Sequence, residues 1–288
     1  MYYAVGKNSK FYKSTDGESW SVSTLPVAGD YKGVSFIDSN NGWICGNNGV
    51  LTPIILKTTN GGNTWVQQTP PDLGVDIEYK LNDILFVNSM VGFCASYMIH
   101  PNPSKYSPIL KTIDGGVTWG YVENTLFTFG YALNYRRLIK LTNNLILMIA
   151  DSPEHSTNCS LIYNILLQSQ IDISNNYNDG VIDGSGINEN NYQISSYLGT
   201  IYLTNDGGIA DNQLVNIDLT TSANALYFTS DRVGHVGTDN GKMFRLGGDL
   251  TPKEQTYAGT QVNSISMVNA TEGIAVGNGG QIYKYKLN

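Results

Sequence analysis

Short apolar and polar runs alternate along the chain, and the same arrangement of runs returns several times. Three segments are nearly identical, each with alternating apolar residues, a hydroxyl residue, an Asx-Gly pair and a Trp: Lys13–Trp20, Lys57–Trp65 and Lys111–Trp119. A fourth segment, Leu203–Gly208, keeps the turn residues but lacks the Trp. Alternation with a period of two predicts strands, and Asx-Gly predicts a tight turn because glycine adopts positive φ at little cost. Each segment therefore predicts a β-hairpin.

A second repeated pattern precedes the first one. Residues 34–46, 84–96 and 265–277 each contain two apolar runs around a polar turn of Asn, Asp or Ser. Together the two patterns predict a unit of four strands, A to D. In one unit, strand A is expected at Val34–Ile37 and strand B at Trp43–Gly46, while C precedes the Asx-Gly turn and D begins at the Trp. Four short antiparallel strands repeated about every 40–50 residues are typical of β-propeller blades.

The number of C strands predicts the number of blades. We expect them at Lys10–Ser14, Ile54–Thr58, Pro108–Thr112, Leu161–Leu166, Thr200–Thr204, Lys242–Leu246 and Gln281–Tyr285. The prediction is an all-β fold, a single β-propeller of seven four-stranded blades, with six as the alternative. The repeats are placed at about 1–26, 31–70, 80–124, 131–172, 178–218, 222–257 and 262–288, in one domain over 1–288. The chain starts inside a B strand (Tyr2–Gly6) and ends after a C strand, so both terminal blades are expected to be incomplete.

The Asx-Gly segments resemble the Asp-box, or BNR, repeat of sialidase-like propellers. The sequences of Gly42–Gly46 and Lys57–Trp65 are most similar to those of photosystem II assembly and stability factors. The resemblance covers most of the chain, strongly over residues 1–122 and weakly over 130–200. It implies a propeller fold. It does not imply one function, because hydrolases, receptors and assembly factors all use this box.

The box residues are predicted to be structural. The Asx residues are expected to make turns by bonding backbone N–H groups, and the Trp residues are expected to pack against neighbouring blades. These residues are Asp16, Trp20, Asn60, Trp65, Asp114, Trp119 and Asp206. Cys45 and Cys94 fall in B strands where other repeats carry Val or Ala, which predicts small core residues with no redox or metal role.

Composition excludes some partners. Only 14% of the 288 residues are charged and the net charge is −7, whereas nucleic acid requires a basic face. No run approaches the roughly 18 apolar residues of a membrane span. Met1 leads directly into strand-like residues, so no signal peptide is expected and the predicted location is the virion or the cytoplasm.

The irregular segments predict where a partner would bind. In this strand order the A–B and C–D turns share one face, and the B–C loops and D–A crossovers share the other, which we call the irregular face. It carries long loops such as Ser96–Pro108 and Ala150–Ser160, and loops on a rigid scaffold are frequent binding sites. The predicted contact residues are Tyr79, Tyr97, His100, Tyr106, Glu154 and His155.

Enzymatic activity is not predicted. A sialidase-like site would imply three converging arginines, but of the four present two are adjacent and two share a blade: Arg136, Arg137, Arg232 and Arg245. The same four arginines do not supply the basic patch that the resemblance to photosystem assembly factors implies. The spacing of Asp151, Glu154, His155 and Cys159 matches no strong zinc pattern, so neither a metal nor a cofactor is predicted.

The sequence favours a non-enzymatic structural protein. We expect a scaffold propeller that binds another protein or a surface glycan as a component of a larger assembly, such as a phage or virion particle. Tyrosine-rich loops offer large amphipathic contact area at low entropic cost. The alternative hypothesis is a glycosidase that uses two carboxylates on the irregular face, from among Asp76, Glu78, Asp151 and Glu154.

Overall fold

The computed structural model describes residues 1–49, 52–72, 78–99, 109–122, 134–151, 158–166, 169–172, 180–207, 213–217, 220–230, 232–255 and 259–286. Within these ranges the chain forms 26 strands and one short 3₁₀ turn, Asn278–Gly280. The strands lie in two compact units, one with the described residues up to Asn144 and one with those from Leu145 onward.

The first unit contains three antiparallel sheets and one further strand. Its strands are β1 (Tyr2–Val5), β2 (Lys10–Ser14), β3 (Ser21–Thr24), β4 (Asp30–Phe36), β5 (Gly42–Asn48), β6 (Thr52–Thr58), β7 (Val66–Gln68), β8 (Glu78–Phe86), β9 (Gly92–Ile99), β10 (Leu110–Thr112), β11 (Gly120–Tyr121) and β12 (Asn134–Lys140). The sheets have the orders β1-β2-β3, β4-β5-β6-β7 and β8-β9-β10-β11. Strand β12 pairs with β9 at Asn134 and Tyr97.

The second unit contains four antiparallel sheets. Its strands are β13 (Leu145–Asp151), β14 (Asn158–Asn164), β15 (Ser169–Asp172), β16 (Val181–Gly186), β17 (Tyr192–Ser196), β18 (Thr200–Thr204), β19 (Gln213–Asn216), β20 (Ala223–Phe228), β21 (Gly234–Thr238), β22 (Met243–Leu246), β23 (Pro252–Gln255), β24 (Val262–Asn269), β25 (Glu272–Gly277) and β26 (Ile282–Lys286). The sheets are β13-β14-β15, β16-β17-β18-β19, β20-β21-β22-β23 and β24-β25-β26.

The order of strands agrees with the blade pattern read from the sequence. Strands β2, β6, β10, β14, β18, β22 and β26 lie at the seven expected C positions, which is consistent with seven blades. Among the described residues, the first sheet has no A strand and the last has no D strand. The expectation of one domain over 1–288 stays a prediction.

A β-bulge recurs in the A strands. Pairing of the A and B strands shifts register between Tyr31 and Gly33 in β4 and between Leu81 and Asp83 in β8. The same shift occurs near the start of β16, β20 and β24. Since a bulge interrupts the alternation of apolar and polar residues, β4 begins at Asp30, earlier than the expected Val34.

Side chains after these bulges link one A strand to the next. In the first unit Asp83 Oδ2 accepts the backbone N–H of Leu138 at 3.0 Å. In the second unit Asp183 Oδ2 accepts that of Leu226 at 3.0 Å. Each carboxylate therefore satisfies a backbone donor that sheet pairing leaves free, and fixes the spacing of neighbouring blades.

Aromatic rings join the blades of the first unit in a repeated arrangement. Tyr3 in β1 stacks on Phe36 in β4, and Trp65 meets Phe36 edge-on at 6.1 Å. One blade further on, Trp43 stacks on Phe86, and Trp119 meets Phe86 edge-on at 5.9 Å. Trp20 belongs to the sheet without an A strand, and lies against Tyr2 at 6.4 Å.

The two described cysteines, Cys45 and Cys94, are free and fully buried among core residues of β5, β8 and β9. Burial, together with a hydrogen bond to Cys45, raises the pKa of the Cys94 thiol. The raised pKa keeps the Cys94 thiol protonated, and both cysteines serve as small core groups.

Candidate protein-docking surface

Each Asp-box closes its turn with the same pair of side chains. The hydroxyl of Thr112 donates to Asp114 Oδ1 at 2.8 Å, and the Gly116 N–H donates to the Thr112 hydroxyl at 2.8 Å. The Thr118 N–H donates to Asp114 Oδ1 at 2.9 Å. The hydroxyl-to-Asx bond recurs at Ser14–Asp16, Thr58–Asn60 and Thr204–Asp206, at 2.9, 3.0 and 3.0 Å. The Asx side chains thus act as turn-makers whose acceptor capacity the turn itself uses.

The bonds within the turns keep the aspartates ionised. Backbone N–H groups of Ser19 and Glu18, followed by the Ser14 hydroxyl, lower the pKa of Asp16 to about 2. The Thr118 side chain and backbone lower the pKa of Asp114 to about 2. A carboxylate with such a pKa is a poor proton donor at neutral pH, so these residues do not have the properties of a general acid.

In the second and third blades, the Asp-box turn is hydrogen-bonded to the A–B turn of the same blade. The Gly61 N–H donates to the Asn40 carbonyl at 2.8 Å, and the Gly115 N–H donates to the Met90 carbonyl at 2.8 Å. Both glycines have positive φ, 67° and 73°, which a residue with a side chain would adopt at a cost. In these two blades, the A–B and C–D turns therefore share one face, which we call the box face.

A lysine on the C strand ties each of the first two blades to the following box. The Lys13 ammonium donates to the Gly61 carbonyl at 3.0 Å, one blade further on. The Lys57 ammonium donates in the same way to the Gly115 carbonyl at 3.0 Å, and lies 5.2 Å from the ring centre of Trp43. The repeated lysine is therefore a blade-to-blade connector in both places.

Lys111 occupies the same position in the third blade but has no such bond. Its ammonium makes no hydrogen bond or ion pair with any residue that the structure describes. The side chain is half-buried, and this burial lowers the pKa of Lys111 below its usual value. An ammonium in this state gains from an anionic partner.

A shallow groove of about 240 Å³, open to solvent, lies beside Lys111. It is lined by Lys111, Thr112, Ile113, Thr118, Gly120 and Tyr121. Gly120 is the cross-strand partner of Lys111, and a Cβ at Gly120 would meet nothing within 4 Å. The matching positions, Ser21 opposite Lys13 and Val66 opposite Lys57, carry side chains. The groove therefore exists where the third blade has a glycine.

Two apolar side chains, Ile113 and Tyr121, line this groove, and Val117 belongs to the same box turn. Ile113, Val117 and Tyr121 are exposed to 66%, 72% and 57%. The second box has Thr59 and Asn63 where the third has Ile113 and Val117. Clustered exposed apolar residues on a folded surface mark interaction sites more often than isolated ones do. We call this set, with Lys111 and Gly120, the third-box surface.

The structure describes only two of the six contact residues predicted from the sequence. Tyr79 is 5% exposed, and its hydroxyl donates to the Pro71 carbonyl at 2.8 Å, which leaves little of the side chain for a partner. Tyr97 is half-buried in β9, opposite Lys80 in β8. The other four lie outside the described residues: His100, Tyr106, Glu154 and His155. Binding at the irregular face stays a prediction.

The sequence reasoning missed the third-box surface because it treated the boxes as equivalent turns. The signal was present in the alignment of the repeats: Ile113, Val117 and Gly120 differ in character from their counterparts in the second box. The lack of an acceptor for Lys111 among the described residues gives no sequence signal, since this lysine stands at the same position of its box as Lys13 and Lys57 do.

Comparison with known proteins supports the propeller fold. Residues 11–126, the segment with the three complete boxes, match the profile of the family described as photosynthesis system II assembly factor YCF48. The chain is similar in fold to the structure of YCF48 bound to D1 peptide, with a TM-score of 0.74 and 17% identity over 99% of this chain and 88% of that one. The chain is a BNR-type β-propeller. The resemblance read from the boxes is confirmed.

Two further structures resemble this BNR-type propeller. YCF48 from Cyanidioschyzon merolae has a TM-score of 0.72 and 15% identity, over 99% of this chain and 91% of that one. The WD40 propeller domain of Doa1 has a TM-score of 0.66 and 11% identity, over 99% and 89%. Among proteins of curated function, none matches the chain in sequence. At these identities the similarity establishes the propeller fold.

Proposed function

We propose that this propeller is a non-enzymatic scaffold that binds a segment of another protein. The observation that carries the proposal is the third-box surface, where the exposed side chains of Ile113 and Tyr121 line a groove together with a half-buried lysine, Lys111, whose ammonium has no partner among the described residues. Similarity to an assembly factor and to a propeller bound to a peptide supports the same kind of function.

The described structure does not test the hydrolase alternative. The side chains of all four candidate carboxylates lie outside the described residues: Asp76, Glu78, Asp151 and Glu154. Among the described residues, no three His, Cys, Asp or Glu side chains are grouped to hold a metal. The names of the similar proteins are those of an assembly factor and a peptide complex. A binding protein is therefore the better interpretation.

The larger assembly remains open to experiment. A phage or virion particle, a surface glycan as partner, and a virion or cytoplasmic location all stay predictions from the sequence. In the described part of the chain, no helix has the length and apolarity needed to cross a membrane.

A displayed library of random peptides tests the proposed function. The full chain is immobilised, bound peptides are enriched, and synthetic versions are titrated by calorimetry. We expect saturable one-to-one binding with a Kd of about 1–100 μM, a range that corresponds to about 5–8 kcal/mol. Failure to enrich any peptide that binds saturably would contradict the proposal. Release of sugar from a glycan panel, in a preparation that binds no peptide, would favour the hydrolase.

A further inference from the structure

We propose that the third-box surface binds an extended polypeptide segment in which an aliphatic residue lies close to an aspartate or glutamate. The carboxylate pairs with the Lys111 ammonium, and the aliphatic side chain packs between Ile113 and Tyr121. This inference rests on the proposed function and names the site and the chemistry of the partner.

Charge complementarity selects a carboxylate. The equivalent lysines, Lys13 and Lys57, show that an ammonium at this strand position reaches an oxygen acceptor at 3.0 Å. Lys111 has the same reach but no acceptor among the described residues. A carboxylate from another molecule would supply one and would form a charge-assisted hydrogen bond. The net charge of −7 does not prevent this, because charges more than about 8 Å away are screened at physiological salt.

The apolar rim selects an aliphatic neighbour. Ile113 and Val117 replace the polar residues of the second box, and Tyr121 adds an amphipathic ring beside the groove. Covering these side chains removes apolar area from water, which favours association. A neutral glycan would offer no charge to the lysine, and any glycan would offer hydroxyl groups to this apolar rim, so a polypeptide with an aliphatic side chain fits better.

The edge strand favours an extended partner. Strand β11 (Gly120–Tyr121) is the last strand of its sheet among the described residues. No described strand pairs with its outward edge, and an extended peptide that adds a strand there would bond that edge. The groove lies beside this edge, so side chains of an added strand can enter it.

The test uses the enriched peptides with substitutions that the chain itself suggests. Gly120→Val introduces the residue found at the matching position of the second blade, Val66. The new side chain fills the groove without a clash, since a Cβ at Gly120 meets nothing within 4 Å. Ile113→Thr and Val117→Asn copy the second box, and Lys111→Met removes the charge. Val66→Ser, which removes an exposed valine from another blade, is the control. Unchanged thermal unfolding verifies that each variant is folded.

We expect enriched peptides to contain Asp or Glu near Leu, Ile or Val. Gly120→Val should weaken binding at least about tenfold, which is about 1.4 kcal/mol. Lys111→Met should weaken it about fivefold, as for a partly exposed ion pair. An Asp-to-Asn peptide should bind wild type as weakly as Lys111→Met binds the original peptide, and Val66→Ser should change nothing.

The outcomes separate this inference from the proposed function. One outcome is that peptides bind with a Kd that neither Gly120→Val nor the Ile113→Thr, Val117→Asn double variant changes. In that case the third-box surface is not the binding site, and the protein-binding function stands. If peptides without any acidic residue bind at this surface, the proposed pairing of a carboxylate with Lys111 is wrong. If no peptide binds, both proposals fail.

Discussion

The indole of Trp43 lies parallel to the ring of Phe86, with the ring centroids 3.6 Å apart and the planes 8° from parallel. Tyr3 and Phe36 have the same relationship one blade earlier, at 3.6 Å and 5°. The pair joins the B strand of one blade to the A strand of the next. Aromatic pairs of this kind add about 0.5–1.5 kcal/mol beyond the burial of their surface. The repeated stack is therefore a main contact between blades in the first unit.

The stack depends on a glycine beneath the phenylalanine. A Cβ at Gly92 would lie 2.5 Å from the Phe86 ring, so Gly92→Ala must displace Phe86 from Trp43. We expect a loss of about 1–3 kcal/mol in the free energy of unfolding, measured in urea. Gly120→Ala is the matched control, because its Cβ meets nothing. Equal stability of the two variants would contradict this account of the stack.

The lysine connector gives a second comparison within the chain. Lys57→Met removes the bond to the Gly115 carbonyl and the cation beside Trp43, and should cost about 1–2 kcal/mol of unfolding free energy. Lys111→Met should cost nothing measurable, since Lys111 has no bond to a described residue. Calorimetric melting temperatures of the two variants measure the difference, and a larger loss for Lys111→Met would refute it.

His235 predicts a pH dependence in the second unit. Burial, reinforced by the positive charge of Arg245 and opposed by a hydrogen bond to the Ala270 backbone, lowers the pKa of His235 to about 4. The unfolded chain binds a proton at His235 near pH 6.5, whereas the folded chain binds it only near pH 4. The contribution of neutral His235 to the free energy of unfolding is therefore complete above pH 6.5 and is lost as the pH falls towards 4. The loss should be of order 3 kcal/mol at most.

Urea unfolding at several values between pH 7 and pH 4 measures this loss. His235→Leu keeps an apolar side chain among the same neighbours and cannot titrate, so its stability should fall less steeply over this range. Parallel pH profiles for the wild type and His235→Leu would show that His235 does not carry the dependence.

The burial of Cys45 and Cys94 predicts that their thiols do not react in the folded protein. With Cys159 replaced by Ser, the folded chain should show no rapid reaction with an aromatic disulfide reagent, because Cys45 and Cys94 are fully buried and the pKa of Cys94 is raised. Two thiols per chain should react in urea. Labelling of the folded protein at the rate of a free thiol would show that this part of the core opens readily.

Much of the fold follows from the sequence because the repeats preserve local chemistry. The C strands and box turns depend on alternation, a hydroxyl and an Asx-Gly pair, all within about ten residues. The bounds and pairing of the A strands are harder to predict from the sequence. Their bulges, as between Leu81 and Asp83, break the alternation, and the bond from Asp83 to Leu138 joins residues far apart in the chain.

The candidate surface could be predicted only in part. The apolar character of Ile113 and Val117 is visible when the boxes are aligned, and so is the glycine at position 120. The lack of an acceptor for Lys111 among the described residues is not visible, because the hydrogen bonds of Lys13 and Lys57 are made with residues 48 and 58 positions away in the chain. Sequence reasoning therefore favoured the irregular face, whose long loops are the more obvious binding feature.

Hydrogen–deuterium exchange of the chain with and without an enriched peptide tests the central claim most directly. The claim predicts that the peptide slows exchange in residues 109–122, with the matching segment of the second box, 55–68, unchanged. Protection of residues 96–108 and 150–160, the segments where the sequence predicts binding, with 109–122 exchanging as in the free chain, would contradict it.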